Sequence, residues 1–159
     1  MDSYFPRGNG AMKKGPFLGR NSTLTTVITG WSRLTMIVPR YASLLGGLFV
    51  GLSWSALRLR RKHKVGVGDG DRDDLRKALR AHANFAEYAP ISIMLLYFLE
   101  VHGGYAGWLI HVLCSSLCVG RFVHAYGVRQ VKEVYKYRVF GTAMTLSALS
   151  AASILLLVA

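Results

Sequence analysis

An all-α integral membrane four-helix bundle is the fold class that this sequence predicts, on three observations. Of the 159 residues, 52% are hydrophobic and only 18% charged. The apolar residues fall in long, nearly charge-free stretches, as membrane spans do. The net charge of +12 is gathered largely between those stretches. A disordered basic tail would lack this apolar content, and a nucleic-acid-binding domain of this charge would carry far less of it. The expected partner is therefore a lipid bilayer and no nucleic acid. Two cysteines are too few for a disulfide framework, and 159 residues suit one compact unit.

The first span is read at residues 41–57, YASLLGGLFVGLSWSAL, closed by the basic run 58–64. Residues 88–99 are apolar but short of the roughly 20 that a bilayer requires, and extending the helix back through Arg80 supplies the length. The third span covers about 105–126, interrupted by His111 and Arg121, and the fourth, 139–159, carries no charge. Gly103 and Gly104 separate spans two and three, while the Gly- and Asp-rich segment 65–74, VGVGDGDRDD, is a turn in which Asp73 or Asp74 caps the second helix. The Asp69, Asp71, Asp73 alternation also suggests a calcium loop, but its sixth position would be Asp74 instead of Gly and its twelfth Arg80 instead of Glu.

Charge sets the orientation. Nine Lys or Arg lie between Arg58 and Arg80 and five between Arg121 and Arg138, against none between spans two and three. The positive-inside rule places the first and third connections together on the cytosolic or equivalent side, with both termini opposite. Residues 1–40 resist that arrangement, with six Lys or Arg against Asp2 alone, a net +5. Residues 1–38 therefore read as a basic extension or targeting segment, with an interfacial amphipathic helix as a third option, and 39–159 as the membrane domain. The compartment stays open between a mitochondrial or other organellar membrane and the endoplasmic reticulum. Asn21, Ser22 and Thr23 also match a glycosylation acceptor.

Chemistry is expected on the second helix, where Arg80, Asn84, Glu87 and Tyr88 fall within one arc of about 100°. Ionisable groups in a span cost roughly 2.5–3.5 kcal/mol each at its centre, so they normally face protein and pair, Glu87 with an arginine. Pro90 frees the carbonyl of Ala86 and distorts the helix. Arg121, His124 and Tyr126 end the third helix on the same basic side, where they are expected to meet the second-helix face as a cationic cavity. Such a cavity suits a small anion with amide and carboxylate groups, and an arginine there would favour a bound thiolate. His111, Cys114 and Cys118 share one face of the third helix, but with no fourth ligand in register they read as structural, and no metal is expected.

RAHANFAEYAP at residues 80–90 resembles the second-helix signature of the MAPEG family, membrane-associated proteins in eicosanoid and glutathione metabolism. The RLR of residues 58–60, the GDG of 68–70 and GRFVHAYG of 120–127 are similar to its small bacterial-type branch. The resemblance implies a homotrimer of four-helix protomers with glutathione bound between helices of adjacent protomers. It implies that Arg80, Asn84, Glu87, Tyr88, Tyr126 and Arg58 contact glutathione, and that Arg121 or Arg60 stabilises its thiolate. The thiolate would then add to a lipophilic electrophile or reduce a lipid hydroperoxide. Eicosanoid-synthesising members carry a tyrosine where Phe122 stands and an arginine after Tyr126, where this chain has Val128. Some relatives are accessory proteins, so a non-catalytic membrane subunit or lipid-binding adaptor is the alternative to a glutathione transferase or peroxidase.

Overall fold

The computed structural model describes residues 37–102, 104–130 and 134–159, and expectations for residues 1–36 lie outside them. Its four helices are α1 (Ile37–His63), α2 (Asp73–His102), α3 (Gly107–Arg129) and α4 (Tyr135–Val158), with no strand among the described residues. Each begins earlier or ends later than its apolar stretch, because charged and aromatic flanks continue the helix beyond the bilayer core. α1, α3 and α4 are long and apolar enough to cross a membrane. α2, the longest at 30 residues, is not, because its charged first turns and Glu87 and Glu100 dilute its apolar half.

α2 and α3 pack against each other, with α1 on one side of the pair and α4 on the other; α1 and α4 do not touch. Half of the α3 crossing window is buried in the protein, against 17% and 22% for α1 and α4, which makes α3 the central helix. Apolar residues on the outer faces, such as Leu44, Trp54 and Ile154, are largely exposed in the single chain, as expected where lipid is the solvent.

Small residues allow α3 and α4 to approach closely. Gly141, Thr145, Ala148 and Ala152 form the buried stripe of α4, and a Cβ on Gly141 would lie 2.6 Å from the carbonyl oxygen of Gly120. A lipid-solvated helix gains little by hiding apolar surface, so association relies on this intimate packing and on interhelical hydrogen bonds. Ser116 Oγ donates to Met144 O at 3.2 Å, and Tyr105 Oη to Leu155 O at 2.9 Å.

Both ends of the bundle are tied by polar contacts. At the basic end Lys77 Nζ donates to Gln130 O at 3.3 Å, placing the first and third connections on one side, as the charge pattern requires. At the other end the Glu100 carboxylate accepts from Ile37 N at 2.7 Å and Val38 N at 3.0 Å, capping the first turn of α1 from 62 to 63 residues away.

In the α1–α2 connection, Asp69, Asp71 and Asp73 surround Arg76, at 2.6, 4.0 and 3.0 Å. An arginine supplies the cation that their spacing suggested. Gly70 adopts φ +55° there, and a Cβ would meet Val65 Cγ2 at 2.6 Å, so only glycine fits without rearrangement. The helix starts at Asp73, so Asp73 and Asp74 occupy its first turn rather than capping it from outside. From there Asp74 still serves a first-turn amide, its Oδ1 accepting from Leu75 N at 2.8 Å, while its Oδ2 lies 2.9 Å from His63 Nε2 and clasps the end of α1 to the start of α2. Hydrogen bonds from Arg76 and His63 hold the carboxyls of Asp69 and Asp74, respectively, below their ordinary range.

Candidate functional site

Arg121 is the centre of the site. It lies on α3 and is only 2% exposed, the largest of the fully buried side chains. Its Nε donates to Thr145 Oγ1 at 2.8 Å, and its Nη1 donates to Asn84 Oδ1 at 2.7 Å and Asn84 O at 3.4 Å. The Tyr88 ring lies 5.7 Å from its Cζ, a cation–π distance. Nη2 is buried with no hydrogen-bond partner, and no ion pair among the described residues reaches the guanidinium. A desolvated cation with one donor group unused is the arrangement that an anionic ligand would complete.

The second-helix face forms as its periodicity requires. Asn84 and Tyr88 are half-buried against Arg121, while Arg80 and Glu87 are exposed at its edge. Glu87 enters no ion pair among the described residues, so the expected pairing with an arginine is not made within one chain. Arg80 lines an open cleft of about 420 Å³ with Asp73, Arg76, Lys77, Val128 and Arg138. A neighbouring cavity of about 410 Å³ runs along α4 from Asn84, His124, Tyr135 and Arg138 to Val139, Ala143 and Leu146. Together these line the groove between α2 and α4, polar at the basic end and apolar further along. α2 is continuous through Pro90.

Tyr126 does not join this group. Five residues along a helix turn it about 140° from Arg121, and its exposed ring lies on the other flank of α3. There it lines a groove of about 400 Å³ between α1 and α3, with Leu48, Leu52, Phe122, Ala125, Arg129 and Gln130. Arg60 does not reach Arg121 within the chain; its Nη1 donates to Gly66 O at 3.0 Å and Val65 O at 3.5 Å, closing the connection after α1. Arg58 is exposed near the end of α1. His111 Nδ1 lies 3.1 Å from Tyr41 Oη, Cys118 Sγ donates weakly to Tyr41 O at 3.9 Å, and both cysteines are buried free thiols.

Sequence reasoning missed Thr145 and Glu100. Thr145 sits in a span of small and apolar residues, and nothing local distinguishes it from a packing residue. Glu100 is a lone acid at a helix end, and its partners are backbone groups without a sequence signal.

This fold and site define a class: a multi-pass integral membrane bundle organised round a buried, incompletely satisfied arginine. The family follows from comparison with known proteins, since the MAPEG family model matches residues 38–158, and the chain belongs to that family. It is also 35% identical over 114 residues to the inner membrane protein YecN of Escherichia coli strain K12, covering 72% of this chain and 85% of that protein. The YecN sequence of Escherichia coli O6:H1 matches equally well.

Proposed function

We propose that this protein is a membrane-bound glutathione-dependent transferase or peroxidase acting as a homotrimer. The observation that carries the reading is the unused Nη2 of buried Arg121, beside the amide of Asn84 and the phenol of Tyr88. Arg80 and Glu87 at the rim offer a carboxylate binder and an ammonium binder, the two ends of a glutathione molecule. With the thiol near Nη2, the guanidinium favours its thiolate. In the transferase reaction the thiolate sulfur forms a bond to an electrophilic carbon as the leaving group departs with its electron pair. In the peroxidase reaction two glutathione thiols are oxidised to the disulfide while the hydroperoxide is reduced to an alcohol and water.

The separation of Tyr126 from the α2 face supports the trimer. The α2–α4 and α1–α3 grooves lie on opposite sides of the central α2–α3 pair, with Arg80 and Asn84 lining the first and Tyr126 the second, so one ligand would meet both sets only across a protomer boundary. A head-to-tail contact joins unlike patches and closes as a ring, bringing one protomer's α1–α3 groove to the next protomer's α2 face. Gly47 and Gly51, one turn apart on the outer face of α1, meet nothing within 4 Å in the chain and would admit a close neighbour.

Purified protein with glutathione and an aryl halide or a lipid hydroperoxide should turn over, and Arg121→Gln should lower kcat by about 10²-fold, the effect of losing one charge-stabilising donor. Arg80→Ala and Glu87→Ala should raise the KM for glutathione. A folded wild type inactive across both substrate classes would refute the enzyme reading.

One observation favours a second reading. Two of the three Arg121 nitrogens serve the protein itself, through Thr145 and Asn84, as they would in a cation that glues helices. A non-catalytic subunit or lipid-binding adaptor would give a stoichiometric hetero-complex in mild detergent and no turnover.

A further inference from the structure

Thr145 is fully buried on α4, outside the motif that carries the family resemblance, and its hydroxyl is committed in both directions. Oγ1 donates its single hydrogen to Gly141 O at 2.9 Å. It therefore faces Arg121 as an acceptor only, taking the Nε hydrogen at 2.8 Å. Asn84 Oδ1 takes a hydrogen of Nη1 at 2.7 Å, and Tyr88 is placed for a cation–π contact. Two nitrogens of a planar group fixed from two different helices leave the third no rotational freedom. We infer that Thr145 is a positioning residue, which with Asn84 orients Arg121 so that Nη2 alone is presented to an anionic ligand.

The identity of that ligand as glutathione rests on the function proposed above, whereas the orientation of Arg121 stands on the protein's own contacts. Three features separate this arrangement from simple helix adhesion. The Thr145 acceptor meets Nε and not the donor left over, the Gly141 carbonyl fixes the hydroxyl direction, and the unused nitrogen is buried rather than snorkelling to water. A threonine hydroxyl with a free rotor would bond Arg121 in several orientations. This one has a single orientation, set by its bond to Gly141 O one turn back on α4, and the close α3–α4 crossing at Gly120 and Gly141 brings it against Arg121.

The test compares Thr145→Val, which keeps the shape and removes the acceptor, with Thr145→Ser, which keeps the acceptor. Glutathione is added to each purified protein in detergent, and the ultraviolet absorbance of the bound thiolate is followed against pH. In the valine variant the apparent pKa of the bound thiol should rise by about one unit, and kcat at neutral pH should fall about tenfold with little change in KM. Serine should restore both. A folded valine variant that titrates and turns over like wild type overturns the assignment. If valine prevents folding, the wild type labelled with ¹⁵N-arginine decides. The Nε–H of Arg121 should be protected from solvent exchange with and without glutathione, and rapid exchange overturns the inference. Wild type that binds glutathione without a thiolate band counts against the proposed chemistry, while the exchange measurement still decides the role of Thr145.

Discussion

Gly141→Ala probes the contact on which both the fold and the orientation of Arg121 depend. The added Cβ would lie 2.6 Å from Gly120 O, 2.7 Å from His124 N and 2.8 Å from His124 Cβ. The first two are rigid helix backbone, and ordinary contact begins at about 3.4 Å, so α4 must move off α3 by about 0.8 Å. Thr145 lies one turn further along α4, and the same shift would lengthen its 2.8 Å bond to Arg121 to about 3.6 Å, which is no longer a hydrogen bond. Overpacking costs about 1–3 kcal/mol and a lost hydrogen bond to a charged group about 1.5–3, offset by about 1 kcal/mol of helix propensity. The net expected loss is about 3 kcal/mol, within a range of roughly 1.5–5. Denaturant titration of the purified protein in mild detergent measures it, with Gly46→Ala as the control. A Cβ at Gly46 meets nothing within 4 Å, and that variant should be neutral or up to about 1 kcal/mol more stable. A Gly141→Ala protein within about 0.5 kcal/mol of wild type would refute the close crossing.

Two further outcomes follow from contacts at the ends of the bundle. Glu100→Gln leaves one oxygen acceptor and removes the charge from the α1 N-terminus, so it should cost about 1–2 kcal/mol and raise hydrogen exchange at the amides of Ile37 and Val38. Unchanged exchange there would show that the cap is not formed. The hydrogen bond from Arg76 lowers the folded pKa of Asp69 below its ordinary 3.8. Its contribution to stability is therefore present above 3.8 and lost as pH falls through the lowered value. In a carboxyl NMR titration, Arg76→Ala should bring Asp69 back towards 3.8, and a titration identical to wild type would refute the pairing.

Much of the architecture is legible along the chain, because a bilayer demands about 20 apolar residues per span and the basic connections announce their side. α1, α3 and α4 stand where the apolar stretches lie, and the α2 face of Arg80, Asn84, Glu87 and Tyr88 follows from helical periodicity alone. The boundaries were less legible: α2 runs from Asp73, well before its apolar stretch, and the Ile37 and Val38 amides of α1 are met by Glu100 on another helix.

The sequence by itself determined that this is a membrane helical bundle with a polar face on its second helix, since span length, charge placement and a period of 3.6 are local properties. Only the tertiary structure decided which polar groups meet. It turned Tyr126 away from Arg121, occupied Arg60 with loop carbonyls and brought Thr145 beneath the guanidinium. Those outcomes depend on helix rotation and on how closely α3 and α4 approach, which two glycines on different helices set together. The stripe of Gly141, Thr145, Ala148 and Ala152 marks one face of α4 as small, but which helix that face meets is decided only by the fold.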